Sequence, residues 1–148
     1  MASFTYNIGS KGVIDRTLDY ASDTIEIILT KSTYTPNKDD TNSVYAAAEI
    51  SGVSGYTGGY GGAGRKVLAS KTITNDTAND RTVLDAADPS AWTLGTGDTV
   101  GGAIVGKKGA SNDTTAVPLF FLDFTDVPTN GSTFTITFDA NGIGYTQQ

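Results

Sequence analysis

The chemistry open to this chain rests on sixteen carboxylates and ten lysines and arginines, because it contains neither histidine nor cysteine. Without an imidazole there is no Ser-His-Asp triad and no imidazole base near neutral pH. Without a thiolate there is no Cys-His pair and no zinc site of the usual ligands. Two aspartates on separate strands, such as Asp85 and Asp123, are the kind of pair a glycoside hydrolase uses to protonate a leaving group and to attack the sugar. Nothing in the spacing separates that pair from the other aspartates. No catalytic residue is assigned, and the chain reads as a non-enzyme.

Asp39 and Asp40, with Asn37 and Asn42, form one oxygen-rich cluster, and Asp76 with Asp80 forms another. Calcium takes such oxygens, but the EF-hand spacing is missing and no glutamate follows at the twelfth place. Asp and Asn also build turns by hydrogen-bonding their own backbone, which accounts for both clusters without a metal. The run Gly59-Tyr60-Gly61-Gly62-Ala63-Gly64 matches the G-x-G-x-x-G pattern letter for letter. That pattern binds a pyrophosphate only where a strand precedes it and a helix N-terminus follows. Here the preceding residues are glycine-rich and residues 65–74 read as strand, so neither a nucleotide nor any other cofactor is expected. Tyr56 and Tyr60 in this run, and Phe4 and Tyr6 near the N-terminus, are the residues best suited to grip a protein partner, since aromatic side chains bury much area with few rotors.

The elements that carry these residues follow from composition and periodicity. Only two of the sixteen acidic residues are glutamates, Glu26 and Glu49; the aspartate bias, with eighteen glycines and seven tyrosines, favours turns and strands over helix. Residues 24–30 place Ile25, Ile27 and Leu29 on one face and Glu26 and Ile28 on the other. Further strands are expected over 66–74, from 81, around Trp92 and Leu94, over 100–107, over the very apolar 117–124, and over 132–139, where Phe134, Ile136 and Phe138 alternate with threonines. Short helices are expected near 7–14 and 44–50, the first weakened by Gly9 and Gly12. This predicts an all-β fold: an antiparallel β-sandwich or barrel-like domain of about six to eight strands with at most two short helices. Residues 1–148 form a single domain, with a flexible N-terminal segment 1–8 and a glycine-rich loop 52–64 that cannot offset its own ordering entropy. A chain of this length buries roughly 70% of its extended surface, enough for a core without disulfides.

The net charge of −6 disfavours nucleic acid as a partner, because binding it requires cations that displace phosphate counterions. No apolar stretch approaches the roughly 20 residues of a membrane-spanning helix. The N-terminal residues do not read as a secretory leader, so synthesis and folding in a reducing cytoplasm are expected.

Several short pieces resemble a family of small β-rich virion proteins encoded in tailed phages and prophages. They are Asp23-Thr24-Ile25-Glu26-Ile27-Ile28-Leu29 with Tyr34-Thr35-Pro36, then Val53-Ser54-Gly55-Tyr56-Thr57-Gly58-Gly59, Lys71-Thr72-Ile73, Asn79-Asp80-Arg81, and Phe134-Thr135-Ile136-Thr137-Phe138-Asp139-Ala140-Asn141-Gly142-Ile143. The pieces span most of the chain, and the glycines within 60–64 and 100–106 depart from the pattern. The resemblance implies a virion component without catalysis: a decoration or cement protein of the phage head, bound to the major capsid protein and to neighbouring copies of itself, with a trimer compatible with that role. The alternative is a tail- or fibre-associated module that binds another tail protein or host-surface carbohydrate, for which Tyr60 and Trp92 are the candidate platform.

Overall fold

A strand with isoleucines on both faces has to be covered on both, and Ile25–Lys31, with Ile25 and Ile27 on one face and Ile28 on the other, is such a strand. The computed structural model, which describes residues 2–147, places it near the middle of the largest sheet. In chain order the elements are β1 (Phe4–Thr5), α1 (Asn7–Asp15), β2 (Ile25–Lys31), α2 (Val44–Ala48), β3 (Lys66–Val67), β4 (Thr72–Asp76) and β5 (Arg81–Asp85). They continue with β6 (Trp92–Thr93), β7 (Thr99–Lys107), β8 (Val117–Pro128), β9 (Thr133–Phe134) and β10 (Gly144–Gln147), with a 3-10 turn at Asp113–Thr115 between β7 and β8.

The protein is mainly β, and the strands pair antiparallel in three sheets ordered β1-β8-β7-β2-β3, β10-β5-β4 and β6-β9. The large sheet ends at β1 and β3, so it is open and does not close into a barrel. From Ile25 to Thr30 every residue of β2 is buried. Ile25, Ile27 and Leu29 enter one apolar cluster with Val105, Leu119, Leu84 and Trp92. Ile28 enters the opposite one, with Ile104, Phe121, Tyr6 and Tyr45. The period-two alternation read from the sequence is therefore the division between two cores, each buried isoleucine contributing about 1.5–3 kcal/mol.

Ten strands are present among the described residues, four of them only two residues long, against the six to eight expected. Residues 66–74 do not form one strand. After Val67 the Leu68 amide still donates to Ile25 O, but Ser70 takes a left-handed backbone (φ 51°) and turns the chain away before β4 begins. Residues 132–139 alternate as expected, yet only Thr133 and Phe134 find a partner strand, opposite Thr93 and Trp92. Further on, the Phe138 amide donates to the Asp88 side chain instead of to a strand.

Both expected helices form. The glycines that weaken α1 in isolation are what let it dock: a Cβ on Gly9 would stand 2.6 Å from Pro118 O and 2.7 Å from Leu119 Cα. The N-terminal segment, expected to be flexible, is tied down here. Phe4 and Thr5 pair with Phe121 and Phe120, the Tyr6 amide donates to Leu119 O, and the Asn7 amide to Lys38 O. The glycine-rich stretch is likewise folded on its own backbone. Val53 and Tyr56 exchange hydrogen bonds, the Thr57 amide donates to Ala63 O, and the Gly62 amide to Gly59 O.

Candidate functional site

The carboxylates and aromatics singled out by the sequence are dispersed over the fold. Asp85 lies on β5 and Asp123 on β8, strands of different sheets. The oxygens of the 37–42 cluster serve the turn. Asp39 accepts from the Asn7 side chain at 2.6 Å, Asp40 from the Tyr34 hydroxyl at 2.6 Å and the Asn37 amide at 3.1 Å, and the Asn42 side chain donates to Thr114 O. Asp76 accepts from Asn79 and Arg81 across the β4–β5 hairpin. Among the described residues no group of acidic side chains is placed to hold a metal ion, and no helix is long and apolar enough to cross a membrane.

Of the four aromatics expected to face a partner, Tyr6 and Tyr56 are fully buried. Both belong to the cores because each hydroxyl has an internal partner: Tyr6 meets the Tyr34 hydroxyl at 3.1 Å, and Tyr56 donates to Glu49 at 2.8 Å. Phe4 is half-buried against Tyr6 and Phe121. Tyr60 keeps 36% of its surface exposed, but its hydroxyl is shared between Gly109 O and Ala110 O, each 3.0 Å away, and Lys108 lies over its ring. Trp92 is buried, its indole N–H donating to Gly64 O at 2.5 Å.

What the fold does bring together is a buried ionic cluster. Arg65 closes the glycine-rich stretch, and its guanidinium has five N–H donors. Nε and Nη2 reach the two oxygens of Glu49 at 2.8 and 2.6 Å. Nη1 and Nη2 reach the two oxygens of Asp113 at 2.7 and 2.9 Å, and Nη1 also reaches Glu26 at 3.2 Å. All five donors are thereby used. The Glu49 carboxylate additionally accepts the Tyr56 hydroxyl and, at 2.8 Å, the Gly59 amide. The Tyr56 hydroxyl in turn accepts the Leu29 amide of β2 at 3.0 Å. Thus the first glycine of the G-x-G-x-x-G run does present its amide to an anion, but the anion is the protein's own glutamate. Arg65 leads directly into β3, not into a helix.

Side-chain exposure is 5% for Arg65, 2% for Glu26, 4% for Glu49 and 20% for Asp113. The Tyr45 ring flanks the guanidinium, 5.5 Å from Cζ. Burial opposes the charge on Arg65, and the hydrogen bonds it donates to Asp113 and Glu49 outweigh it and hold the guanidinium protonated. The cluster joins β2, the end of α2, the glycine-rich stretch and the 3-10 turn, four segments far apart in sequence. Chemically it is saturated: it locks a loop and offers no free donor of the guanidinium to a ligand.

Sequence reasoning passed over Glu26, Glu49, Arg65 and Asp113. The available signal was Glu26 inside an otherwise apolar strand, in a chain with one other glutamate, and an arginine at the mouth of a glycine run. A buried acid requires a cation, and arginine with its planar fork is the usual one. No family model, curated protein or solved structure matches the chain.

Proposed function

We propose that this protein is a non-enzymatic virion component of a tailed phage, most specifically a decoration or cement protein that binds the major capsid protein lattice of the head. The observation that carries the reading is the placement of bare apolar side chains on open sheet edges. Val67 on β3 is 60% exposed and Ile73 on β4 is 50% exposed, and each strand ends its sheet. Open edges with apolar side chains are where proteins add strands or loops of other proteins. Ile14 on α1, 83% exposed, adds a third such point. The buried charges, by contrast, neutralise one another inside a lock. In this reading the smaller sheets form the second layer of a β-sandwich over the large one, through Leu84 and Trp92, which share a cluster with Ile25, Ile27 and Leu29. A stiff scaffold of this kind attaches at many lattice points through weak individual contacts, neighbouring copies included, and avidity supplies the strength.

The second reading, a tail or fibre module for host-surface carbohydrate, would need Tyr60 and Trp92 as an exposed platform. With Trp92 at 2% exposure and its N–H taken by Gly64, that platform is missing, and the reading ranks below the first.

Co-sedimentation of the purified protein with shells of the source phage that lack it tests the proposal. Saturable binding at a fixed ratio to the major capsid protein is expected, with cryo-electron microscopy placing the added density on the head. Shells that stay bare at saturating protein refute it.

A further inference from the structure

The five donors of Arg65 are divided unequally among its three carboxylates. Glu49 receives two at 2.6 and 2.8 Å, Asp113 receives two at 2.7 and 2.9 Å, and Glu26 receives one at 3.2 Å. Glu49 has further donors in Tyr56 and Gly59. Asp113 is one-fifth exposed, so solvent can share its charge. Glu26 has neither: its side chain is 2% exposed, and among the described residues no second side-chain donor reaches it. The Tyr45 hydroxyl stands over Gly106, the residue directly across the ladder from Glu26, yet it is buried without a hydrogen-bond partner among the described residues and does not neutralise that acid. Three acids on one guanidinium carry excess negative charge, and at the 2% exposed Glu26 an incompletely paired charge is costly.

We propose that Glu26 is a proton-binding site whose proton sets how firmly the glycine-rich stretch is fastened to the large sheet. The charged and titratable groups around it are Arg65 ahead of β3, Lys108 after β7, Asp113 on the 3-10 turn, Glu49 after α2, Tyr45 on α2 and Tyr56 within the stretch. Burial pushes the Glu26 carboxyl above the ordinary glutamate range, Arg65 and Lys108 oppose this, and Asp113 adds to it. A carboxyl raised in the folded state binds its proton more tightly than in the unfolded chain. The stabilisation is complete at pH values below the unfolded pKa and is lost as pH rises through the folded one. Above that point the ionised Glu26 competes with Glu49 and Asp113 for Arg65, and the fastening at Gly64 and Gly59 loosens. Trp92, bonded to Gly64 O and the single tryptophan of the chain, lies where it reports the change. The inference does not depend on the capsid role.

The chain has only two glutamates, so protein labelled with 13C at the glutamate carboxyl gives two resonances. A pH titration is followed through both resonances and through Trp92 emission. The expected result is one resonance with its midpoint above that of an exposed glutamate, absent in Glu26→Gln, with Trp92 emission changing over the same range in the wild type and flat in the variant. Two resonances that both titrate at or below the exposed-glutamate midpoint overturn the proposal, as does a Trp92 response that persists in Glu26→Gln. If that variant fails to fold, Lys108→Gln gives the decision: removing the cation moves the high midpoint further up, and an unmoved midpoint refutes the assignment.

Discussion

Glu49 holds Arg65 with both carboxylate oxygens, 2.8 Å to Nε and 2.6 Å to Nη2, and the two side chains are 4% and 5% exposed. A pair this dry is a weak source of net stability, because desolvation consumes most of the attraction. Breaking it is another matter, since the partner stays behind charged. Arg65→Met leaves three acids without their cation and is expected to lower unfolding stability by about 3–5 kcal/mol. Urea denaturation measures this as a lower midpoint at unchanged slope. Arg65→Lys restores the charge but not the two bidentate forks, and falls between the two.

Two buried tyrosines separate the value of a hydroxyl from the value of its ring. Tyr56 accepts from Leu29 and donates to Glu49, so Tyr56→Phe strands a backbone amide and removes a donor to a buried carboxylate. A loss of about 1–3 kcal/mol is expected. The Tyr45 hydroxyl is buried with no hydrogen-bond partner among the described residues. Tyr45→Phe therefore removes an uncompensated polar group and is expected to be neutral or stabilising by up to about 1 kcal/mol. Thermal midpoints of the two variants, measured side by side, check the difference in sign.

These residues also mark what was legible beforehand. The isoleucines on both faces of β2 and the very apolar start of β8 announced interior strands, since burial on both faces demands successive apolar residues whatever the partners are. Tyr56 was misplaced because it sits among glycines, a composition that reads as loose loop. Its order comes from Glu49 and Leu29, contacts distant in sequence that no local pattern encodes. Residues 132–139 failed the other way: their alternation is genuine, and Ile136 is buried, but a strand also needs a neighbour, and beyond Phe134 none is supplied. The meeting of the ionic cluster was hidden because its four members come from four separate segments, and only Glu26 in its apolar strand and Arg65 beside the glycine run hinted at it.

Gly9 offers a test in which helix propensity and packing disagree. In an open helix, Gly→Ala gains about 0.5–1 kcal/mol. At Gly9 the new methyl would meet Pro118 O at 2.6 Å and Leu119 Cα at 2.7 Å, both on the backbone of β8 and unable to swing aside. Gly9→Ala is expected to destabilise by about 1–3 kcal/mol. Calorimetry showing a raised melting temperature would mean that α1 does not dock on β8 through this residue.

At the acid end, Asp15 accepts from Lys11 and from the side chain and amide of Thr17, which holds its carboxyl down at about 2. Hydrogen bonds also lower Asp19, Asp76 and Asp139. A carboxyl lowered in the folded state contributes stability above its unfolded pKa and loses it as pH falls through the folded value. The thermal midpoint is therefore expected to decline from about pH 4 downward, and to decline less in Asp15→Asn. An unchanged slope in that variant would show that the Asp15 contacts do not persist in solution.

At the alkaline end the sign reverses. The Tyr34 hydroxyl spends its proton on Asp40 at 2.6 Å, so Tyr6 donates to the Tyr34 oxygen at 3.1 Å. Burial pushes the Tyr6 phenol up to about 12, and the nearby Asp40 charge adds to the rise. A phenol raised in the folded state gives stability that is complete below its unfolded value of 10 and is lost as pH climbs through 12. Tyrosinate absorbance is therefore expected to rise in two phases, one for exposed phenols and one coincident with loss of the native circular dichroism, and Tyr6→Phe is expected to move the second phase to higher pH. A single phase complete before the structure changes would mean that Tyr6 is reachable by hydroxide in the folded protein and that the β1–β8 pairing above it opens freely.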